Sequence, residues 1–92
     1  MEIIFDPEKN ARNIQERGLS FERAADLDWN TAQIHADERM DFGEQRLIAL
    51  GNLDGRLHVL VFQETKAGIR VISFRKANER ERRRYDEAQT FN

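Results

Sequence analysis

The sequence predicts one α+β domain over residues 1–92, with helices packed on a small, curled antiparallel sheet in the order β-α-α-β-β-β-(β)-α. Three observations favour this class. A chain of 92 residues has room for one domain. Helix-capping residues mark its first third, and from residue 45 the apolar residues alternate with a period of two, which is typical of strands.

The N-terminal third is predicted to form a strand and two helices. Glu2 to Phe5 is short and apolar, which favours a strand. Asp6-Pro7 supplies an N-cap and a first-turn proline, so a helix follows and ends before Gly18, which can adopt positive φ. Ser20 is placed to cap a second short helix that runs to about Asp26 or Leu27.

The centre of the chain predicts the sheet. Thr31 to Ala36 alternates weakly, which indicates an edge strand, and a polar loop follows. Asp54-Gly55 is a strong hairpin signal and Lys66-Ala67-Gly68 is a second turn. The strands that these turns join are Leu47–Leu53, Leu57–Phe62 and Ile69–Phe74. In the first of these strands, alternation places Leu47, Ala49 and Leu53 on one face and Ile48 and Leu50 on the other. Ala77 to about Gln89 closes the chain as a helix.

Composition excludes several classes of protein. The chain has no cysteine, which excludes a disulfide scaffold, a zinc ribbon and a thiol nucleophile. No unbroken apolar run is longer than that from Val59 to Phe62, which is far too short for a membrane span, and Met1-Glu2 leads into a strand instead of a basic signal peptide. We therefore expect a soluble, cytoplasmic protein without membrane contact.

The formal net charge of −2 hides a strong polarity. Residues 1–54 carry twelve acids and six bases, or −6, whereas residues 55–92 carry five acids and nine bases, or +4. Arg70 to Arg84 alone holds seven bases against Glu79 and Glu81. Such a segment either binds phosphate or forms a solvated helix face with internal ion pairs.

Few residues have a context that predicts chemistry. His35 and His58 lie on predicted strands and are more often structural in such positions, and no third ligand has the spacing of a metal site. The segment from Asp37 to Arg46 is dense in alternating charge. Its carboxylates could take a proton from a sugar hydroxyl and its guanidinium groups could stabilise a pentavalent phosphate, or both could form a local salt-bridge loop.

The basic segment can be divided by geometry. Ideal strand alternation directs Arg70 and Arg75 to opposite faces. On the closing helix, Arg84 has Glu81 and Glu87 three residues away, while Arg80 has no acid at three or four positions, so Lys76 and Arg80 are expected to be free for an external anion. The packing stripe of this helix is Tyr85, Ala88 and Phe91.

Four segments together resemble the BrnT family of type II toxins. They are FDPEKNARN at 5–13, GLSFERAA at 18–25, the DER…GEQR loop at 37–46 and RVISFRKANERERRRY at 70–85. The most specific parts are the GE-x-R of Gly43, Glu44 and Arg46, and the RVIS-x-RKA from Arg70 to Ala77 with Tyr85 after it.

This resemblance implies a RelE-like fold and an endoribonuclease that needs no metal or other cofactor and halts translation. It implies attack of a ribose 2′-hydroxyl on the adjacent phosphate. The candidate catalytic residues are Glu44 as base and Arg39, Arg46, Arg75 and Arg17 as phosphate ligands, and the candidate RNA-binding residues are Arg70, Lys76, Arg80 and Tyr85. The implied partner is a BrnA-like antitoxin with a ribbon-helix-helix domain, which forms a heterotetramer with the toxin and alone contacts operator DNA.

One position departs from the family pattern. Many members carry Lys-His-Gly before the second helix, where this chain has Glu16, Arg17 and Gly18. A guanidinium does not release its proton near neutrality, so Arg17 could bind phosphate but could not act as a general acid. The alternative function is therefore a catalytically weakened homologue that binds antitoxin and helps to regulate an operon.

Overall fold

The computed structural model describes residues 1–39 and 45–90, which form five strands, two α-helices and one 3₁₀ helix. The strands are β1 (Glu2–Ile4), β2 (Gln33–Ala36), β3 (Leu47–Leu53), β4 (Arg56–Glu64) and β5 (Gly68–Lys76). The helices are α1 (Pro7–Arg17), the 3₁₀ helix (Phe21–Asp26) and α2 (Glu79–Thr90). The predicted α+β class is confirmed, and within the described ranges none of the helices is long and apolar enough to cross a membrane.

The predicted caps fix the N-terminal helices. The Asp6 carboxylate accepts a hydrogen bond from the Glu8 N–H at 2.9 Å, and Pro7 occupies the first helical position. At the other end, Gly18 has φ 64° and donates its N–H to the Ile14 carbonyl at 2.8 Å. The Ser20 hydroxyl caps the second helix, which has 3₁₀ geometry.

The five strands form one sheet in the order β1-β5-β4-β3-β2. All neighbouring pairs are antiparallel except β1 with β5, which are parallel, and β2 is an edge strand as predicted. Asp54 and Gly55 have φ 52° and 77° and form the two-residue turn between β3 and β4. At the β1–β5 junction, a Cβ on Gly68 would collide with the Glu2 backbone, so only glycine permits this pairing.

The two faces of the sheet bury separate apolar clusters. The larger cluster joins the 3₁₀ helix to the side chains of one face, and Leu60 and Phe74 are its largest fully buried members. Leu47, Ala49 and Leu53 belong to this cluster, whereas Ile48 and Leu50 pack on the opposite face. The alternation predicted for β3 is therefore confirmed. On that opposite face, Leu57, Val59, Ala77 and Tyr85 form the smaller cluster beneath α2.

A β-bulge in β5 changes which arginines share a face. Val61 pairs with Ser73 and the next residue of β4, Phe62, pairs with Val71, so Ile72 is an extra residue. Arg75 is opposite Val59 and Arg70 is opposite Gln63. Val59 and Gln63 are four residues apart on one strand and face the same side. The prediction that Arg70 and Arg75 lie on opposite faces is therefore wrong, because alternation fails at the bulge.

Candidate active site

An open cleft lies on the sheet face that α2 partly covers. It has a volume of about 270 Å³ and an apolar floor of Ile48, Leu50, Val59 and Val61. Its polar lining consists of His35, Arg39, Ser73, Arg75, Glu81 and Arg84. We call this cavity the sheet cleft. It combines positive charge with an imidazole over an apolar base, which suits a phosphate-containing ligand.

Arg75 is held in the sheet cleft by Glu81. Its two terminal nitrogens, Nη1 and Nη2, each donate to one carboxylate oxygen of Glu81 at 2.9 Å, and Nη1 also donates to the Lys76 carbonyl at 3.2 Å. The side chains of Arg75 and Glu81 are 34% and 24% exposed, so the pair is partly screened from water. These hydrogen bonds raise the pKa of Arg75 and lower the pKa of Glu81.

Glu81 is itself fixed by the start of α2. The Asn78 side-chain oxygen accepts from the Glu81 N–H, and the Glu81 carboxylate accepts from the Asn78 N–H, both at 2.9 Å. This is a capping box, in which the first and fourth residues satisfy each other's backbone donors. The helix start therefore positions the carboxylate that positions Arg75.

Arg39 reaches the same cleft from the end of β2. Its Nε and Nη2 donate to the Asp37 carboxylate at 2.8 and 2.9 Å, and its backbone N–H donates to Asp37 at 3.2 Å. The Asp37 side chain is 3% exposed, whereas that of Arg39 is 67% exposed. The hydrogen bonds from Arg39, with a smaller contribution from the charge of Arg46, lower the pKa of Asp37 to about 2. Asp37 thus stays ionised and orients Arg39.

A second cavity of about 660 Å³ lies between the end of α1 and the β3–β4 turn. Its cationic side chains are Arg17, Arg23, Arg56, Arg75 and Lys76, and His58 lies in its wall. We call it the hairpin groove. Arg23 is neutralised by Asp26 and Asp54, with nitrogen–oxygen distances of 2.9 Å.

A sequence comparison identifies the family of the chain. A family model described as the ribonuclease toxin, BrnT, of type II toxin-antitoxin systems matches residues 5–81. The chain belongs to the BrnT family. Membership implies a ribonuclease toxin with a protein antitoxin as its partner, because type II systems pair a toxin with a protein antitoxin. No curated protein shows significant sequence similarity to the chain.

The structure brings together only some of the residues that the BrnT resemblance implicates. Arg39 and Arg75 both line the sheet cleft. Arg46 lies beside Asp37, since its carbonyl accepts the Asp37 N–H at 2.8 Å and its charge acts on Asp37, but it is not among the residues that line the sheet cleft. Glu44 belongs to residues 40–44, outside the described residues.

Arg17 and Lys76 line the hairpin groove and not the sheet cleft. Arg17 donates to the side-chain oxygen of Asn13 at 2.9 Å. Asn13 is buried and donates in turn to the carbonyls of Leu19 and Phe74, at 2.9 and 3.1 Å. Arg17, which stands where many BrnT members carry histidine, is therefore linked through Asn13 to the end of α1 and to β5, and it lies away from Arg39.

The three other implicated residues lie apart. Arg70 lines a separate groove of about 380 Å³ with Gln63 and Thr65. Arg80 is exposed on the first turn of α2. Tyr85 is 7% exposed, and its hydroxyl donates to the Thr31 carbonyl at 3.0 Å. Its ring thus packs in the core as predicted, and this burial leaves little surface for stacking on a base. The predicted packing stripe is wrong at Ala88, which is exposed, and Phe91 lies outside the described residues.

Sequence reasoning missed four polar residues of the sheet cleft, which are His35, Ser73, Glu81 and Arg84. His35 is exposed on β2 and is the imidazole of this cleft among the described residues. Glu81 was expected to pair with Arg84 along the helix, but it binds Arg75, and Arg84 has no ion pair within the described ranges. The Asn78-x-x-Glu81 spacing is the signal that could have identified the capping carboxylate. No three potential metal ligands cluster in residues 1–39 and 45–90.

Proposed function

We propose that this protein cleaves RNA by attack of a ribose 2′-hydroxyl on the adjacent phosphate in the sheet cleft. A base takes the 2′-hydroxyl proton, the new O2′–P bond forms, and the P–O5′ bond breaks with proton transfer to the leaving oxygen. The products are a 2′,3′-cyclic phosphate and a 5′-hydroxyl. The single observation that carries this proposal is that Arg39 and Arg75, each oriented by its own carboxylate, line one cleft.

The guanidinium groups retain donors for a phosphate. Arginine has five N–H donors. Arg75 uses three of them on Lys76 and Glu81, which leaves two, and the side chain of Arg39 uses two on Asp37, which leaves three. The Arg84 side chain makes no hydrogen bond or ion pair with any described residue and adds a further cation. Charge that accumulates on a pentavalent phosphate would meet oriented donors instead of reorganising water.

Two groups are proposed for the proton transfers. Glu44 is the candidate base, and its segment joins the cleft residue Arg39 to Arg46 and β3. His35 is the candidate donor to the leaving oxygen, because an imidazolium can release a proton to that oxygen and a guanidinium does not. His35 is exposed and lines the sheet cleft, so a substrate could reach it.

The proposed partner is a BrnA-like antitoxin with a ribbon-helix-helix domain, in a heterotetramer that binds operator DNA through the antitoxin. Cleavage of RNA would arrest translation in the cytoplasm until the antitoxin binds. A second candidate function is a weakened toxin homologue whose role is antitoxin binding and operon regulation. Arg17 favours it, since this chain lacks the histidine that many members carry there.

One cleavage experiment separates the two functions. Purified protein is incubated with RNA in the presence of a chelator, and the new ends are tested for a 2′,3′-cyclic phosphate. We expect cleavage by the wild type, and a loss of at least ten-fold in rate for Glu44→Gln, Arg39→Ala and His35→Ala. Lys66→Ala, an exposed change outside the sheet cleft, is the matched control and should cleave normally. A folded wild type that leaves RNA intact would favour the regulatory module.

A further inference from the structure

The hairpin groove contains more positive charge than its ion pairs neutralise. It is larger than the sheet cleft, at about 660 Å³ against about 270 Å³. Arg23 and Arg75 are occupied by carboxylates, but Arg17, Arg56 and Lys76 have no acidic partner within 4.0 Å in the described part of the chain. All three side chains belong to exposed residues. Three uncompensated cations around one cavity suit a phosphate group.

A buried histidine lies in the wall of the same groove. His58 is 5% exposed and its ring packs against Phe74, with 5.6 Å between the ring centroids. Its Nδ1 is 2.8 Å from the Arg56 carbonyl oxygen. Because a carbonyl only accepts, Nδ1 carries a proton, and in the neutral ring Nε2 keeps its lone pair. Nε2 has no hydrogen-bond partner among the described residues.

Three cations beside the lone pair of His58 Nε2 indicate a ligand that carries both a negative charge and a hydrogen-bond donor. A phosphate would satisfy the three cations, but a phosphodiester has only acceptors and offers nothing to the lone pair of Nε2. The 2′-hydroxyl of a ribose is a hydrogen-bond donor beside the 3′-phosphate, and DNA lacks it. A nucleotide of RNA therefore matches both parts of the groove.

We propose that the hairpin groove binds one ribose-phosphate unit of RNA, with the phosphate held by Arg17, Arg56 and Lys76 and the 2′-hydroxyl donating to Nε2 of His58. The unit lies outside the sheet cleft and takes no part in bond breakage. The inference rests on the proposed function, because it takes RNA as the substrate. It assigns to His58 the discrimination of RNA from DNA.

The probes are adenosine 3′-monophosphate and its 2′-deoxy analogue, which lack the leaving group that cleavage requires. Their dissociation constants and the affected amides are measured by NMR titration of the full chain. We expect the ribonucleotide to bind about five-fold more tightly, the ratio expected for one net hydrogen bond. The largest shifts should cluster at residues 17, 56, 58 and 76.

Variants separate the phosphate from the sugar. Lys76→Ala and Arg56→Ala should weaken both nucleotides by the same factor, whereas Lys66→Ala, a lysine outside the groove, should change neither. His58→Leu should abolish the preference for ribose, and His58→Gln, which keeps an acceptor near Nε2, should retain part of it. Circular dichroism confirms that each variant is folded.

Two results would overturn the proposal. One is equal binding of the two nucleotides by the wild type, and the other is a cluster of shifted amides away from the groove. Neither outcome depends on RNA cleavage, so failure here is distinguishable from failure of the ribonuclease assay. A protein that cleaves RNA but binds both nucleotides equally refutes only the assignment of the hairpin groove.

Discussion

The substitution Glu81→Ala tests the coupling between the start of α2 and the sheet cleft. Glu81 accepts two hydrogen bonds from Arg75 and one from the Asn78 N–H, all at 2.9 Å. Alanine removes all three hydrogen bonds at once. The loss should therefore lower the free energy of unfolding and release the Arg75 side chain.

The magnitude follows from the two functions of the carboxylate. Loss of a capping interaction costs about 1 kcal/mol. Hydrogen bonds to a charged group contribute roughly 1.5–3 kcal/mol when buried, but the 34% and 24% exposure of Arg75 and Glu81 reduces the pair to about 1 kcal/mol. The expected sum is about 2 kcal/mol, or a fall of roughly 8–16 °C in Tm for a domain of this size. Glu81→Gln keeps one acceptor oxygen, which can still accept from the Asn78 N–H and from one nitrogen of Arg75, and it should lose about half as much.

Urea unfolding monitored by tryptophan fluorescence is a suitable assay. Trp29 is the single tryptophan of the chain, it packs edge-to-face on Phe62 at 5.5 Å, and its indole N–H donates to the Ala24 carbonyl at 3.1 Å. Its emission should therefore report on the loss of the core. A single cooperative transition in wild type and variant is required for the comparison.

Glu79→Ala is the matched control. Glu79 lies two residues from Glu81 on the same helix, but its carboxylate is 3.5 Å from Arg83 and both side chains are more than 70% exposed. This change should alter the free energy of unfolding by less than about 0.5 kcal/mol. Equal losses in Glu79→Ala and Glu81→Ala would refute the reasoning, since they would show that the capping box and the Arg75 pair contribute nothing specific.

Three further predictions concern other contacts of the fold. The pKa of Asp37 is lowered from 3.8 to about 2, so the stability that its charge contributes is present above about pH 4 and is lost as the pH falls towards 2. In urea titrations, the difference in free energy of unfolding between wild type and Asp37→Asn should therefore shrink from about pH 4 to about pH 2. Gly68→Ala should destabilise the protein by roughly 1–3 kcal/mol because its Cβ meets the Glu2 backbone, and hydrogen exchange at Ile3 and Ile4 should accelerate before exchange in β3 and β4. Asn13→Ala should cost about 2–3 kcal/mol in thermal unfolding, since two carbonyls lose their donor, whereas Arg17→Ala should cost under about 1 kcal/mol.

Most of the fold could be predicted, because the ends of most helices and strands are set by residues close to them in the sequence. Asp6-Pro7 and Gly18 set the two ends of α1, and Asp54-Gly55 sets the register of β3 on β4. The bulge at Ile72 has no such signal. It lies just beyond Arg70, where the pairing of β5 with β1 ends, and alternation along one strand carries no information on how that strand pairs with its neighbours.

The site was harder to predict because its contacts are long-range. The charge pattern along α2 paired Glu81 with Arg84, since residues three apart are neighbours on a helix. In the structure, the capping box turns the Glu81 carboxylate back towards β5, where it meets Arg75. Likewise, His35 lies on an edge strand with no distinctive neighbours, and it joins the sheet cleft only because β2 pairs with β3.

The basic segment from Arg70 to Arg84 is therefore not one phosphate-binding surface. The fold sends Arg70 to a separate groove, Lys76 to the hairpin groove and Arg84 to the sheet cleft. Among the residues the structure describes, Arg75 alone lines both the sheet cleft and the hairpin groove. The guanidinium of Arg75 lies against Glu81 in the sheet cleft. Glu81 fixes that guanidinium, so Glu81→Ala should slow cleavage even at temperatures where the variant remains folded, and Glu79→Ala should not.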